Sequence, residues 1–303
     1  MSTTDSALLD PGQRSDGTNA DALRARLLAT MPVTERRARL AGVTTSVLEG
    51  GDGPPIVLLH GPGEFAATWT RIVPALVTTN RVIAPDLPGH GGSKELDGPL
   101  DTARMLAWLE DLVGSTCGSP PVLVGHLLGG SLAARYAARH AGAVGGLVLV
   151  GAYGLGRFRP APRFALALGR FLARPTVRSQ RTLMHACMAD RDGLGVEMGE
   201  RLRTMEAYAL EEAGSPAVKA ALRSLMPELG VRRIPEGELA RITAPTTLIW
   251  GREDLQVRVR VAEAASARHG WPLHVIDGAA GDPAIERPKA FLRALRASLP
   301  DET

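Results

Sequence analysis

The residues of this chain that could do chemistry lie in glycine-rich loops, most of which directly follow short apolar runs typical of buried strands. Ligands of open parallel sheets bind at the carboxyl ends of the strands, so we expect the functional site in these loops. Carboxylates stand out there, since Glu64 and Asp254 each come shortly after such a run and Asp282 lies in a later glycine-rich segment. Carboxylates held close together in an apolar cavity raise the pKa of one of them, which supplies a general acid and base without a nucleophile.

The elements that must position these loops follow an alternating pattern. Apolar runs too short for helices alternate with longer stretches of helical periodicity, which predicts an α/β fold with a mostly parallel central sheet flanked by helices. Strands are expected at residues 44–49, 55–60, 81–85, 121–125, 146–150, 246–250 and 272–276. Helices are expected at residues 101–114, 130–140, 257–269 and 288–299, with Asp101 as N-cap of the first, and a further short helix is expected after an Asp21 N-cap. Between residues 158 and 239 the pattern is helical without a strand, which indicates an inserted helical domain.

Five motifs stand near the expected strand ends, in order along the chain. They are His60-Gly61-Pro62-Gly63, Asp86-Leu87-Pro88-Gly89-His90-Gly91-Gly92-Ser93, Gly125-His126-Leu127-Leu128-Gly129-Gly130, Trp250-Gly251-Arg252-Glu253-Asp254, and the segment from Asp277 to Pro288. Together they resemble the α/β-hydrolase superfamily over about residues 41–156 and 241–300. The resemblance implies an α/β-hydrolase core at residues 21–156 and 241–303 and an inserted α-helical cap (lid) at residues 157–240. The polar composition of residues 1–20 predicts a mobile tail.

Two of the superfamily's catalytic positions hold residues that cannot perform its usual chemistry. The resemblance places the nucleophile at Leu127, whose side chain has no lone pair and no ionisable proton, so it cannot form an ester intermediate. It places the general base at Gly281, and neither neighbour of Gly281 is a histidine. Loss of either group removes about six decades of kcat from a Ser-His-Asp system. The triad is therefore degenerate, and ordinary serine hydrolase activity is not expected.

The loop that would stabilise an oxyanion is altered as well. The resemblance assigns this loop to Gly61, Pro62 and Gly63, and the position that would supply a backbone N–H is Pro62, which has none. Leu128 can still offer the second backbone donor. Of the catalytic acid, base and nucleophile, the acid alone is retained, as Asp254.

The resemblance also brings the loops of Glu64, Asp254 and Asp282 to one pocket, and we interpret these three as catalytic acid/base residues. The alternative is that Asp254 only accepts backbone N–H groups while Glu64 and Asp282 face solvent. Ser131, one helical turn past the turn's apex, is an alternative nucleophile, although its position is more typical of helix packing. His126 is interpreted as a residue that packs beside the turn.

Composition excludes several classes of protein. The chain of 303 residues is 45% hydrophobic and 22% charged, as in soluble globular proteins, and its net charge of +3 comes without the basic run that nucleic-acid binding requires. Cys117 and Cys187 lack disulfide-framework or metal-ligand spacing, so we expect no metal and a reducing compartment. We further expect no cofactor, no membrane segment and a cytoplasmic location, and we leave the oligomeric state open.

Three hypotheses of function follow. The first is an enzyme that performs non-hydrolytic acid/base chemistry, such as an elimination, cyclisation or rearrangement, on a small and mostly apolar molecule held between core and cap. The second is a non-catalytic protein that binds a small molecule in the same pocket. The third is a hydrolase with a non-standard nucleophile. The backbone at Leu127 tests whether the turn persists, because a positive φ means that it does and a relaxed φ means that the loop has been rebuilt.

Overall fold

A computed structural model of the chain describes residues 18–299. The expected mobile tail lies outside the described residues over residues 1–17, as do residues 300–303. Residues 18–20, also expected in the tail, instead form the first turn of helix α1 (Thr18–Leu28). Asp21 therefore lies inside the first turn of α1 rather than at its N-cap, where its charge still complements the positive end of the helix dipole.

One sheet carries the loops that hold the candidate residues. Its strands are β1 (Thr34–Leu40), β2 (Val43–Gly50), β3 (Pro55–Leu59), β4 (Arg81–Pro85), β5 (Glu95–Leu96), β6 (Val122–His126), β7 (Gly146–Val150), β8 (Thr246–Gly251) and β9 (Leu273–Ile276). Their order in space is β1-β2-β4-β3-β6-β7-β8-β9, and β5 pairs with β2. Pairing is parallel from β4 through β3 to β9 and antiparallel around β2, which confirms the expected mostly parallel α/β fold.

Strand β1 was not expected from the sequence, and its position explains why. The strand reads Thr-Glu-Arg-Arg-Ala-Arg-Leu, and most of its residues are exposed at one edge of the sheet. Charged residues on an edge strand prevent pairing with other chains, but they also remove the apolar alternation by which strands are recognised.

The helices lie between and around these strands. They are α1, α2 (Val73–Leu76), α3 (Thr102–Thr116), α4 (Leu128–Ala137), α5 (Pro162–Ala173), α6 (Val177–Cys187), α7 (Arg191–Met198), α8 (Glu200–Gly214), α9 (Pro216–Leu225), α10 (Glu236–Leu239), α11 (Arg260–His269), α12 (Pro283–Glu286) and α13 (Pro288–Arg296). Asp101 caps α3 as expected, since its side chain accepts the N–H of Arg104 at 2.8 Å. The chain between β7 and β8 contains helices α5 to α10 and no strand. No helix within residues 18–299 combines the length and the apolar character needed to cross a membrane.

The central strands are buried on both faces, which leaves their ends as the place for polar chemistry. In β3, Ile56 and Leu58 pack with Phe291 of α13 on one face of the sheet, whereas Val57 and Leu59 pack on the other face with the core under α3 and α4. Such strands read as continuous apolar runs because neither face meets water. The loops at the carboxyl ends of β3, β6, β8 and β9 therefore carry the candidate residues.

A buried ion pair attaches α1 to the sheet. Arg24 of α1 donates to Asp86, just after β4, at 2.8 Å, and the Asp86 side chain is 0% exposed. The same carboxylate accepts the backbone N–H of Ala66 at 2.7 Å and of Gly92 at 2.7 Å. One side chain thus joins α1 to two of the glycine-rich loops.

Replacing Asp86 by alanine should lower the free energy of unfolding by about 3–5 kcal/mol, because it removes the fully buried partner of Arg24 and leaves the N–H groups of Ala66 and Gly92 without their acceptor. Arg24 then keeps Glu35, which is more exposed than Asp86, as its one ion-pair partner in the described part of the chain. Urea denaturation measures the change. The matched control is Asp277→Ala, which removes an exposed carboxylate paired with Arg252 and should change stability little. Equal losses in the two variants would contradict the role given to the buried pair.

Candidate active site

The turn between β6 and α4 keeps a strained backbone although Leu127 stands at its apex. Leu127 has φ 46° and ψ −104°, a conformation that non-glycine residues rarely adopt. A Cβ on Gly125 would lie 2.5 Å from the carbonyl oxygen of Gly129, and a Cβ on Gly129 would lie 2.4 Å from the carbonyl oxygen of Leu59. Glycines alone permit this approach of helix to strand. The turn has therefore persisted and has not been rebuilt.

The three positions that the resemblance assigned to nucleophile, base and acid meet at Gly151, at the end of β7. A Cβ on Gly151 would lie 3.6 Å from Leu127 Cδ2, 3.6 Å from Asp254 Oδ2 and 3.8 Å from the carbonyl oxygen of Gly281. Leu127 is 4% exposed and packs in the core cluster with Tyr153. An apolar side chain therefore fills the place of the nucleophile.

The place of the general base is closed by backbone from the end of α6. Gly281 donates its N–H to the carbonyl oxygen of Cys187 at 2.8 Å. A Cβ at residue 281 would lie 3.0 Å from that same oxygen, so a larger residue requires the segment at Cys187 to shift. The carbonyl oxygen of Gly281 accepts a hydrogen bond from His126 Nε2 at 2.8 Å.

Asp254 uses one carboxylate oxygen and leaves the other unpaired. Its Oδ1 accepts the N–H groups of Gln256 at 2.7 Å and Val257 at 3.0 Å. Its Oδ2 is buried and has no hydrogen-bond partner within residues 18–299. Burial raises the pKa of Asp254 to about 6, against the effect of the two backbone hydrogen bonds. The turn around Oδ1 also explains why α11 begins at Arg260 and not at residue 257 as expected.

His126 lies at the centre of a cluster with Glu64 and Asp282. Its Nδ1 is 3.2 Å from Glu64 Oε2, and one ligand atom from each of the three side chains lies within 4.8 Å of the other two. The His126 side chain is 3% exposed, whereas 27% of the Glu64 side chain reaches solvent. Asp282 is partly buried and accepts Thr68 Oγ1 at 3.3 Å. The cluster is therefore a polar site with one edge open to solvent.

The charges in this cluster support one another. Burial by itself would lower the pKa of His126, but the charge and hydrogen bond of Glu64, with a contribution from Asp282, raise it to about 10. Burial by itself would raise the pKa of Glu64. The charge and hydrogen bond of His126 have the larger opposite effect, so the pKa of Glu64 is lowered. Burial raises the pKa of Asp282 to about 6, with partial opposition from His126. At neutral pH the cluster thus contains an imidazolium, a carboxylate and a carboxyl group close to its titration point.

The loop after β3 is shaped by the same glutamate. Gly61 donates its N–H to Glu64 Oε2 at 2.7 Å, and Gly63 has φ 73°, which suits a glycine. His60 binds this loop through Nδ1 to the carbonyl oxygen of Gly61 at 2.8 Å. Pro62 has no N–H to offer. The N–H of Gly61, the residue before it, is already bound to the Glu64 carboxylate. Leu128 is the first residue of α4, and its N–H has no partner within the helix.

Glu286 forms a second polar connection, which sequence reasoning did not select. It is 3% exposed and accepts the backbone N–H groups of Ala189 at 2.6 Å and Ala280 at 2.8 Å. Burial raises its pKa to about 7, against these hydrogen bonds. Through Glu286, the loop after β9 is attached to the chain that follows α6.

Sequence reasoning selected Glu64, Asp254 and Asp282 as candidates, and the structure groups two of them around His126, which was not selected. Glu64 and Asp282 meet around His126, while Asp254 lies beyond the Gly281 carbonyl. His126 was interpreted as packing beside the turn, and the signal that could have selected it was its position immediately before the apex, between two loops that carry acids. Within the described part of the chain, His126, Glu64 and Asp282 also form the one group with the spacing to ligate a metal ion, although the sequence predicted no metal.

The strand order, the strained turn after β6 and the convergence of loops at the carboxyl ends of the strands define a protein of the α/β-hydrolase fold. A family model described as the alpha/beta hydrolase family matches residues 56–294. The chain belongs to this family.

Individual relatives agree with this assignment. The chain is 30% identical over 255 residues to an uncharacterized protein of Mycobacterium tuberculosis, covering 80% of this chain and 74% of that one. It is 28% identical over 236 residues to a 2-hydroxy-6-oxo-6-(2'-aminophenyl)hexa-2,4-dienoic acid hydrolase of Metapseudomonas resinovorans, covering 75% and 77% of the two chains. The structure of carboxylesterase CesB from Bacillus subtilis matches with a TM-score of 0.81 at 20% identity over 96% of this chain and 100% of that one, which shows a shared fold.

The imidazole of His126 should titrate near pH 10 in the folded protein, and its pKa should fall in a Glu64→Gln variant, because burial then acts without the neighbouring carboxylate. A histidine whose folded pKa is raised stabilises the protein fully below its unfolded pKa of about 6.5, and this stability is lost as the pH rises through 10. Nuclear magnetic resonance titration of the ring measures the pKa directly.

A His126→Gln variant should correspondingly lose less stability than the parent between pH 6.5 and 10, measured as Tm at each pH. Parallel curves for the variant and the parent would contradict the charge assigned to His126.

Proposed function

We propose that this chain is an α/β-hydrolase-fold enzyme that transfers protons on a small, mostly apolar molecule without forming a covalent intermediate. The reaction would be an elimination, a cyclisation or another non-hydrolytic rearrangement. The observation that carries the proposal is the cluster of His126, Glu64 and Asp282 at the strand ends, buried on one side and open to solvent at Glu64.

Each member of the cluster has a role in this proposal. Asp282, whose pKa is raised to about 6, takes a proton from the substrate as its carboxylate and returns it to another atom as its acid form. His126, kept protonated by Glu64, stabilises negative charge on the substrate through its own positive charge, because both of its ring N–H groups already donate to Glu64 and Gly281. Asp254 supplies a second carboxylate, whose unpaired Oδ2 lies beside Gly151 at the end of β7.

The chemistry of the hydrolytic relatives does not transfer in its usual form. Leu127 offers no nucleophile. Ser131, the alternative nucleophile, is 0% exposed, and its Oγ has no hydrogen-bond partner within residues 18–299, so no adjacent base activates it. We therefore propose that the chain acts on a small molecule, as its hydrolytic relatives do, but catalyses a different reaction.

A non-catalytic small-molecule-binding protein is the second candidate. The observation in its favour is that both missing triad positions are filled, Leu127 by its own buried side chain and residue 281 by the contact with Cys187. In either case we propose that residues 157–240 act as a cap over the pocket. We also propose a cytoplasmic protein with a small-molecule partner and with no nucleic-acid or membrane partner.

The test uses 5-nitrobenzisoxazole, whose ring opens when a base removes a carbon-bound proton, beside p-nitrophenyl acetate as an ester. We expect turnover of the first compound with a rate that rises with pH through about 6, as Asp282 loses its proton. Hydrolysis of the ester should stay at the background rate. Absorbance measures both reactions, since ring opening converts the first compound into a cyano-nitrophenolate and ester hydrolysis releases p-nitrophenolate.

Asp282→Asn should lower kcat/KM for 5-nitrobenzisoxazole by about 10²–10⁴-fold, and Asp254→Asn tests the second carboxylate separately. The matched control is Asp277→Asn, in the same loop but exposed and paired with Arg252. An equal rate in the Asp282 and Asp277 variants would refute the proposal. Saturable binding of the probe without turnover would favour the binding protein.

A further inference from the structure

A second polar cavity lies apart from the His126 cluster. It has a volume of about 40 Å³ and lies between the loop after β7, residues 152–159, and the segment that leads into α11, residues 256–261. Tyr153 and Gln256 form its inner wall, and Gln256 Nε2 donates to the Tyr153 hydroxyl oxygen. Gln256 and Val257, whose backbone N–H groups donate to Asp254, both line the cavity, so it adjoins the Asp254 turn.

All the charged residues that line this cavity are arginines. Arg157, Arg159, Arg258 and Arg260 line it, and no Asp or Glu does. Within residues 18–299, none of these four guanidinium groups forms an ion pair or a side-chain hydrogen bond.

Neighbouring arginines do find partners. Arg233 and Arg268 pair with Glu236, and Arg252 pairs with Asp277. Unlike these three arginines, the four at the cavity have no carboxylate partner within residues 18–299.

One of the four groups is also partly withdrawn from water. Arg258 is partly buried, and its Nε has no solvent contact and no hydrogen-bond partner in the described part of the chain. A buried donor without an acceptor is costly, and like charges around one cavity repel each other. Both costs disappear when an anion occupies the cavity.

The size and the donor set indicate the kind of anion. A cavity of about 40 Å³ has room for a few water molecules or one oxyanion group, and not for a whole aromatic molecule. Planar guanidinium groups bind phosphate oxygens in pairs, and several of them match a dianion better than a monovalent carboxylate. Arg260 begins the ten-residue helix α11, whose first turn adds partial positive charge.

We propose that this cavity is a binding site for a phosphate group, either free or carried by a small molecule that extends outward past the exposed Arg157 and Arg159. The site is independent of the proton-transfer cluster, because none of its lining residues is His126, Glu64 or Asp282.

Calorimetric titration of the full chain with phenyl phosphate, inorganic phosphate and sodium acetate tests the proposal. Low ionic strength is required, since salt screens exposed charges. We expect saturable binding of the phosphates and binding of acetate weaker by about tenfold or more. Tighter binding of phenyl phosphate assigns the site to phosphorylated small molecules, and tighter binding of inorganic phosphate assigns it to the free ion. Acetate that binds as tightly as phosphate, or no saturable binding of phosphate at millimolar concentration, overturns the proposal.

Variants locate the binding. Arg258→Gln and Arg157→Gln should each weaken phosphate binding by about tenfold or more, since each removes charge-assisted hydrogen bonds. Arg203→Gln, at an exposed arginine of α8, removes the same charge elsewhere and should leave the affinity unchanged. Equal weakening in all three variants would mean non-specific attraction and would overturn the proposal.

Loss of folding is distinguished by the Tm without ligand. The Arg258→Gln variant should melt at or above the Tm of the parent, because the substitution relieves repulsion. A cooperative melt with unchanged phosphate affinity would also count against the site.

Discussion

The close contact of glycine backbone at the start of α4 is the constraint on which the site depends. Because side chains at Gly125 and Gly129 would collide with carbonyl oxygens, α4 packs directly against the strands, and the chain must turn sharply at Leu127. In a hydrolase this strain presents a nucleophile. In this chain the apex residue is Leu127, and the turn determines where His126, the residue before the apex, enters the interior. The turn that presents a nucleophile in hydrolases thus positions the His126 imidazole in this chain.

The opposite charges of Glu64 and His126 stabilise His126 in its buried position. A buried imidazole without a partner would be neutral, and a buried glutamate without a partner would hold its proton. Placed together, Glu64 and His126 each favour the charged form of the other, and the Gly281 carbonyl accepts the remaining ring N–H. The loops after β3, β6 and β9 are therefore joined at one ring. Removing one partner would shift the other toward its neutral form, so the contact between these loops depends on both charges.

The sequence predicted the parts of the molecule in which periodicity and local chemistry agree. The parallel strands, the capped helix at Asp101 and the strand-end position of the candidate acids all follow from patterns within a few residues. Edge strand β1 was missed because its charges remove the alternation, and the early start predicted for α11 ignored the turn that Asp254 imposes. The grouping of Glu64 with His126 joins residues 62 positions apart, so neither spacing nor composition could reveal it.

Residue 281 is a glycine, so this position offers no imidazole for Asp254 to orient. In a working triad the carboxylate orients an imidazole, whereas here one oxygen retains the N–H groups of Gln256 and Val257 and the other has no partner. The retained oxygen still shapes the segment that follows, and that segment reaches the arginine cavity, with Gln256 on its inner wall and Arg258 beside it. Asp254 therefore persists for two reasons that differ in kind. Its Oδ1 holds the loop conformation through two backbone N–H groups, and an asparagine would retain that acceptor. Its Oδ2 is a buried acceptor without a partner in the described part of the chain, and such a group is retained where packing or chemistry requires it.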